Sequence, residues 1–151
     1  MPQSLSNVLV HVVFSTNERR AFLADPTLRL AMQRYLAAAS AELGCPVVTV
    51  GGVEGHVHLL ARQARTITLA GWGRELKRSS SLWLKERSGR VEGFQWQAGY
   101  AAFSVSQSLS AAVQRYIARQ EAHHCRAGFQ DELRTMLNRH QIEYDERYLG
   151  D

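Results

Sequence analysis

One stretch constrains the chain more than any other, the run from Val47 to Leu60, which reads VVTVGGVEGHVHLL. Val47-Val48-Thr49-Val50 is β-branched and predicts a strand. Glycines at 51, 52 and 55 predict a tight turn after it, and His56-Val57-His58-Leu59-Leu60 the return strand of a hairpin. Side chains alternate across a strand, so His56 and His58 share one face while Val57 and Leu59 share the other. Two imidazoles side by side on a rigid support suit a single metal ion. The plain alternative is an amphipathic edge strand with two exposed histidines. The stretch alone supplies neither a third ligand nor a group for a metal to serve.

The flanking sequence sets the architecture. The run from Asn7 to Phe14 is β-rich and apolar on both faces, which predicts a central first strand with His11 as a core histidine. Asp25-Pro26 predicts a helix start, with Asp25 as N-cap, and Leu28, Ala31, Met32, Tyr35, Leu36 and Ala39 give that helix its apolar stripe. Gly44 ends it. A second helix is expected from a Thr66 cap to about Arg87, carrying Leu69, Trp72, Leu76, Trp83 and Leu84. Phe94–Gln97 and Tyr100–Val105 then predict an aromatic strand region interrupted by Gly99. The order β-α-β-β-α-β is the split βαβ pattern. The expected fold class is therefore α/β (α+β), a ferredoxin-like four-stranded antiparallel sheet with helices on one face. A further C-terminal helix carries Tyr116.

At 151 residues, the chain is expected to form a single domain, 1–151. No apolar run reaches membrane-spanning length and no signal-peptide pattern opens the chain, which implies a cytoplasmic protein without a membrane partner. Cys45 and Cys125 have neither metal-site spacing nor the look of a disulfide framework. Net charge is +4, and Lys77 and Lys85 are the only lysines among 18 basic residues. Arginine suits bidentate phosphate contacts, although a GC-rich genome gives the same bias. Arg74, Lys77 and Arg78 fall on one helical face followed by Ser79-Ser80-Ser81, and Arg19 and Arg20 lie in an early loop. These five are candidate phosphate contacts, and a solvated charged face is the alternative.

Beyond Ser110, a predicted helix N-cap, Val113, Tyr116, Ile117 and Gln120 recur at helical spacing, so Tyr116 and Gln120 share a face one turn apart. A tyrosine on such a stripe is commonly core. With the two histidines, however, the pair offers a third, oxygen ligand and a phenol nucleophile. Phenol is a weak nucleophile near neutral pH, and attack on a phosphodiester needs its charge neutralised, which a bound cation does.

These motifs together resemble the single-tyrosine HUH transposases of the smallest bacterial insertion sequences, the TnpA-like group with its repeat-associated tyrosine transposases. The resemblance rests on Val10–Thr16, Gly51–Leu60, Arg74–Arg78, Gly99–Ser106, Tyr116-Ile117-x-x-Gln120 with His123-His124, and Ile142–Leu149. It implies that His56, His58 and Gln120 bind a divalent metal, Mg2+ or Mn2+. It implies that Tyr116 attacks single-stranded DNA, leaving a 5′-phosphotyrosine and a free 3′-OH. It further implies hairpin-containing DNA as partner and a homodimer with composite active sites, the histidine pair of one subunit meeting Tyr116 of the other. Gly55, where a polar residue is usual, and Ala101, where glycine is usual, depart from the pattern. His123 and His124 are read as DNA-facing or as cations at a helix end. Two other classes stay open: a non-catalytic nucleic-acid-binding module on an RRM-like sheet, and a metal-dependent phosphodiesterase using activated water.

Overall fold

The computed structural model describes residues 2–87, 93–120 and 128–149. Four strands, β1 (Leu9–Ser15), β2 (Val47–Val53), β3 (His56–Arg62) and β4 (Ala101–Val105), form one antiparallel sheet in the order β2-β3-β1-β4. The first connection carries helix α1 (Pro26–Glu42) and the third carries α2 (Leu69–Arg87). This is the ferredoxin-like α+β arrangement, with β1 central as its two-sided apolar sequence requires.

The two faces of the sheet divide by strict alternation. Val10, Val12 and Phe14 of β1 join Val57, Leu59 and Ala61 of β3 in a cluster with Met32 and Leu36 of α1 and Trp72, Leu76 and Leu84 of α2. Fully burying side chains of this kind contributes about 1.5–3 kcal/mol each before the entropy of ordering them. Two tryptophan tips are satisfied: Trp72 Nε1 donates to Ser40 Oγ (3.0 Å) and Trp96 Nε1 to Ser80 Oγ (2.8 Å). Leu9, Val13, Leu60 and Phe103 point the other way, against α3 (Ser110–Ala118) and α4 (Phe129–Arg139). Helices therefore cover both faces, where the sequence pattern led us to expect one. An apolar set at 9, 13, 60 and 103 has to be covered, and α3 and α4 lie after the βαββαβ unit that the pattern describes.

Local expectations hold at α1, where Asp25 accepts from Thr27 N (2.9 Å) and Gly44 stops the helix with φ +82°. Others shift. Helix α2 starts at Leu69, and Thr68 rather than Thr66 accepts from the first-turn amide of Gly71 (2.9 Å). Phe94–Gln97 is not a strand, but one bridge, Thr16 to Trp96, ties it to the end of β1. A 3₁₀ turn, Gln107–Leu109, precedes α3, so Leu109 takes the N-cap position expected for Ser110. Gly51 and Gly52 belong to β2, and the hairpin turns at Glu54-Gly55 instead.

Those two glycines place the polar face of the sheet. A Cβ on Gly51 would lie 2.6 Å from Ile117 O, so only glycine lets the backbone of α3 press onto β2. Gly52 has φ +154°, and a Cβ there would meet His56 O at 2.3 Å. The bare backbone at 51–52 thus brings Tyr116 and its helix against the histidine strand.

Candidate active site

Both histidines are interior groups. His56 and His58 are 2% and 0% exposed, which excludes the edge strand with exposed rings. They sit on β3 opposite Ser15 and Val13 of β1, with ring centroids 5.2 Å apart. His11, also buried, lies on the same face of β1, and its Nε2 is 2.8 Å from His58 Nδ1. Burial, with the charge of His140 as a lesser cause, lowers the His11 pKa to about 4, so this ring is neutral at pH 7.

Tyr116, Gln120 and one further side chain complete the cluster. Gln120, 1% exposed, follows the end of α3 and places Oε1 3.2 Å from His56 Nε2. Its Nε2 donates to Glu132 Oε1 (3.0 Å). The Tyr116 hydroxyl donates to the same carboxylate oxygen. Its ring stands edge-on to His58, with centroids 5.8 Å apart. Glu132 belongs to α4 and is 8% exposed. Its Oε2 is 3.9 Å from His56 Nε2 and its Oε1 is 3.8 Å from His58 Nε2. Burial pushes the Glu132 carboxyl up to about 7.

Glu132 has no counterpart in the sequence expectations. The signal for it is present: Phe129, Leu133, Met136 and Leu137 recur at helical spacing, and Glu132 interrupts their apolar stripe. A carboxylate on the buried face of a helix calls for a partner. Phe129 of the same stripe stacks on His56, with ring centroids 4.3 Å apart, and holds α4 over the histidines.

The donor set fits a divalent cation. One ligand atom from each of His56, His58 and Glu132 lies within 4.8 Å of the others. Glu132 Oε2 is buried without a hydrogen-bond partner among the described residues, a costly state that a cation would relieve. Gln120 Oε1, beside His56 Nε2, adds a neutral oxygen.

The remaining candidates separate. Lys77 donates to Gln97 O (2.7 Å) and Gly99 O and lies over the Phe14 ring, 5.6 Å from its centroid, so its ammonium holds the 94–100 segment. Burial lowers its pKa to about 8. Arg78 pairs with Glu75 on its own helix, and Arg20 pairs with Glu18 (3.1 Å). Arg19 ends the 3₁₀ turn Asn17–Arg19. Arg74, Lys77 and Arg78 share one shallow cleft with Ser81 and Lys85, away from the histidine cluster. His123, His124 and Cys125 lie outside the described residues. The departure at Gly55 is local: its carbonyl accepts from Thr16 N (2.9 Å) and closes the hairpin onto β1. Among the described residues, His11 contacts the His58 ring at Nδ1 and Gln120 the His56 ring at Nε2.

The ferredoxin-like sheet thus sets two strand histidines beside Tyr116 of α3. Residues 4–120 match the family described as "Transposase IS200 like", and the chain belongs to that family. Two solved structures share its fold. One, a candidate transposase from Deinococcus radiodurans R1, is 21% identical with TM-score 0.58, over 78% of this chain and 93% of that one. The other, a REP-associated tyrosine transposase bound to a REP hairpin, is 8% identical with TM-score 0.56, over 84% of this chain and 72% of that one. None of the curated proteins compared with the chain matches it. Among the described residues no helix is long and apolar enough to cross a membrane.

Proposed function

We propose that the chain cleaves and rejoins single-stranded DNA by metal-dependent transesterification at Tyr116. The observation that carries this reading is convergence: Tyr116 and Gln120 both donate to Glu132 Oε1, whose carboxylate lies within 4 Å of both ligand histidines. His56 and His58 would hold the cation, with oxygens from Gln120 and Glu132. Two imidazoles with oxygen ligands suit Mn2+ better than Mg2+, which prefers an all-oxygen shell. A bound cation would supply charge neutralisation at the scissile phosphate.

Each protein group then has a task. His11 is a positioning residue: accepting at Nε2, it keeps the His58 proton on Nδ1 and leaves Nε2 of His58 aimed at the site. Glu132 orients the phenol and takes its proton at Oε1. Tyr116 Oη forms the bond to phosphorus while the bond to the 3′-oxygen breaks, and that oxygen leaves as a hydroxyl after protonation from solvent. The product is a 5′-phosphotyrosine with a free 3′-OH. An incoming 3′-OH reverses the step, and Tyr116 Oη recovers its proton. The substrate we assign is a single strand bearing a hairpin, in line with family membership and with the hairpin held by the REP-associated neighbour. Tyr116 stands beside the histidines of its own chain, so the reaction as proposed needs no tyrosine from a second subunit.

The test is incubation of the protein and Mn2+ with end-labelled single strands from the flanks of its own gene, followed by a denaturing gel. Wild type should give a covalent protein–DNA adduct and Tyr116→Phe none. A persistent adduct in Tyr116→Phe overturns the assignment.

A further inference from the structure

We propose that the cleft between β1, β4 and the C-terminal tail is a stacking pocket for one base of single-stranded DNA beside the catalytic centre. The proposal rests on the functional reading above. The cleft has a volume of about 240 Å³, and its lining includes Ser15, Gln97, Tyr100, Phe129, Tyr144 and Tyr148. This is small for an extended ligand and of the size a single heterocycle and its sugar would occupy.

Its position ties it to the chemistry. Phe129, in its wall, stacks on His56, and Ser15 is the register partner of His56 across the sheet. Leu133, the neighbour of Glu132, also lines it. A strand whose scissile phosphate sits at Tyr116 would therefore bring an adjacent base to this cleft.

Its chemistry suits a base more than a phosphate. Tyr100 is 41% exposed and Tyr148 is 69% exposed, large aromatic faces that the fold leaves open. Tyr148 lies on an ordered 3₁₀ turn, Glu146–Tyr148, capped by Asp145, with the Arg147 guanidinium 5.6 Å from its ring centroid. Among the described residues the cleft lining holds no cation and includes the Glu143 carboxylate, while in the tail Arg147 pairs with Asp145 (2.7 Å) and Glu146 with Arg134 of α4 (2.8 Å). Exposed aromatic rings in a lining without cations favour a base over a phosphate, and Gln97, whose Oε1 accepts from Ser15 Oγ, offers its amide NH2 to a base edge.

The neighbouring cleft supplies the missing charge. It has a volume of about 580 Å³, carries Arg74, Ser81 and Lys85, and shares Gln97 and Tyr100 with the aromatic cleft. Backbone in the basic groove and base in the aromatic pocket is the division of labour expected for a single strand.

A short DNA oligonucleotide carrying one 2-aminopurine, with the label walked along the sequence, tests the proposal in metal-free buffer, where binding is read without cleavage. At one position the wild type should quench the fluorescence by stacking. Tyr100→Leu and Tyr148→Leu keep apolar bulk and lose the π-face. Each should weaken binding about tenfold, within the ~1–3 kcal/mol expected per stacked base. The double variant should lose the quenching, the two Phe variants should keep it, and the salt dependence of binding should not change. An oligonucleotide abasic at that position should bind wild type and the double Leu variant alike. Wild-type quenching and affinity in a double Leu variant with a native circular dichroism spectrum overturns the pocket, as does preference for the ribonucleotide version of the probe. The Tyr116 adduct, measured in parallel with Mn2+, separates the two readings. An adduct with unaltered quenching in the double Leu variant rejects the pocket alone. Stacking lost in that variant, with no adduct from wild type, upholds the pocket and rejects the chemistry.

Discussion

The two faces of the sheet come from the same strands and are equally dry, yet they are built on opposite rules. On one face, Val10, Val12, Phe14, Val57, Leu59 and Ala61 pack against α1 and α2 with no chemistry-bearing group among them. On the other, His11, His56, His58, Gln120 and Glu132 are each at most 8% exposed and hold one another through hydrogen bonds and close contacts. The lesson is that a buried polar cluster of this density is costly for stability and is sustained by the packing of the opposite face. Stability should therefore belong chiefly to one side and reactivity to the other.

Loss of either histidine of β3 should disable the reactive side alone. His56→Ala or His58→Ala should reduce adduct formation by more than about 100-fold, since loss of one of the two proposed imidazole ligands would remove most of the affinity for the cation. Mn2+ binding followed by electron paramagnetic resonance should fall in parallel, and most single-strand affinity should remain. Normal Mn2+ binding by both variants would move the metal site elsewhere. The converse change is Leu59→Ala on the apolar face. It should cost about 2–5 kcal/mol in urea unfolding while the folded fraction still cleaves. If it cost little stability but stopped cleavage, the division between faces would fail.

Gly51→Ala joins the two sides. Its new Cβ would overlap Ile117 O, so α3 must move off β2 and carry Tyr116 with it. We expect about 1–3 kcal/mol of destabilisation together with slower adduct formation. An unchanged rate in the folded protein would show that the close approach at Gly51 does not position the nucleophile.

The pH dependence of stability separates two buried groups of the polar face. In metal-free protein, Glu132 has a folded pKa of about 7, above the ordinary 4.5, so the folded state binds more protons than the unfolded one across that window. Stability from this group is full below 4.5 and is lost as pH rises through 7. His11 runs the other way: held near 4, below 6.5, it contributes stability that is lost as pH falls through that range. Glu132→Gln keeps an acceptor for Tyr116 and removes one of these opposed slopes. Its melting temperature relative to wild type should therefore be higher at pH 7 than at pH 4.5. A constant difference would show that the carboxyl is not perturbed in the fold.

The smallest effect lies outside both faces. Arg74→Ala should lower the salt slope of single-strand binding by about 0.7, the value for one phosphate contact. Lys77→Ala should also loosen the 94–100 segment, because its ammonium is engaged with the Gln97 and Gly99 carbonyls. Equal and purely electrostatic effects of the two variants would refute that structural role.

Much of this was legible in the residues. Alternation on β1 and β3 gives the central strand, the hairpin and the shared face of His56 and His58, because period-two patterning is a local property. The spacing of Tyr116 and Gln120 likewise gives their proximity. The glycines were harder to place: 51 and 52 carry turn chemistry, and only the approach of Ile117 from a distant helix explains why they sit inside a strand. Glu132 was hardest of all. Its meaning depends on α4 folding back over β3, a long-range contact that no local spacing encodes.

Whether one chain carries a whole site on its polar face is decided by a labelled mixture. Unlabelled wild type and ¹⁵N-labelled His56→Ala protein are combined with single-stranded DNA and Mn2+, and the peptide containing Tyr116 is examined by mass spectrometry. Nucleotide should appear on Tyr116 of the unlabelled peptide only. Nucleotide on the labelled peptide would show Tyr116 serving the histidines of another subunit, and nucleotide on a different residue would remove Tyr116 from the chemistry.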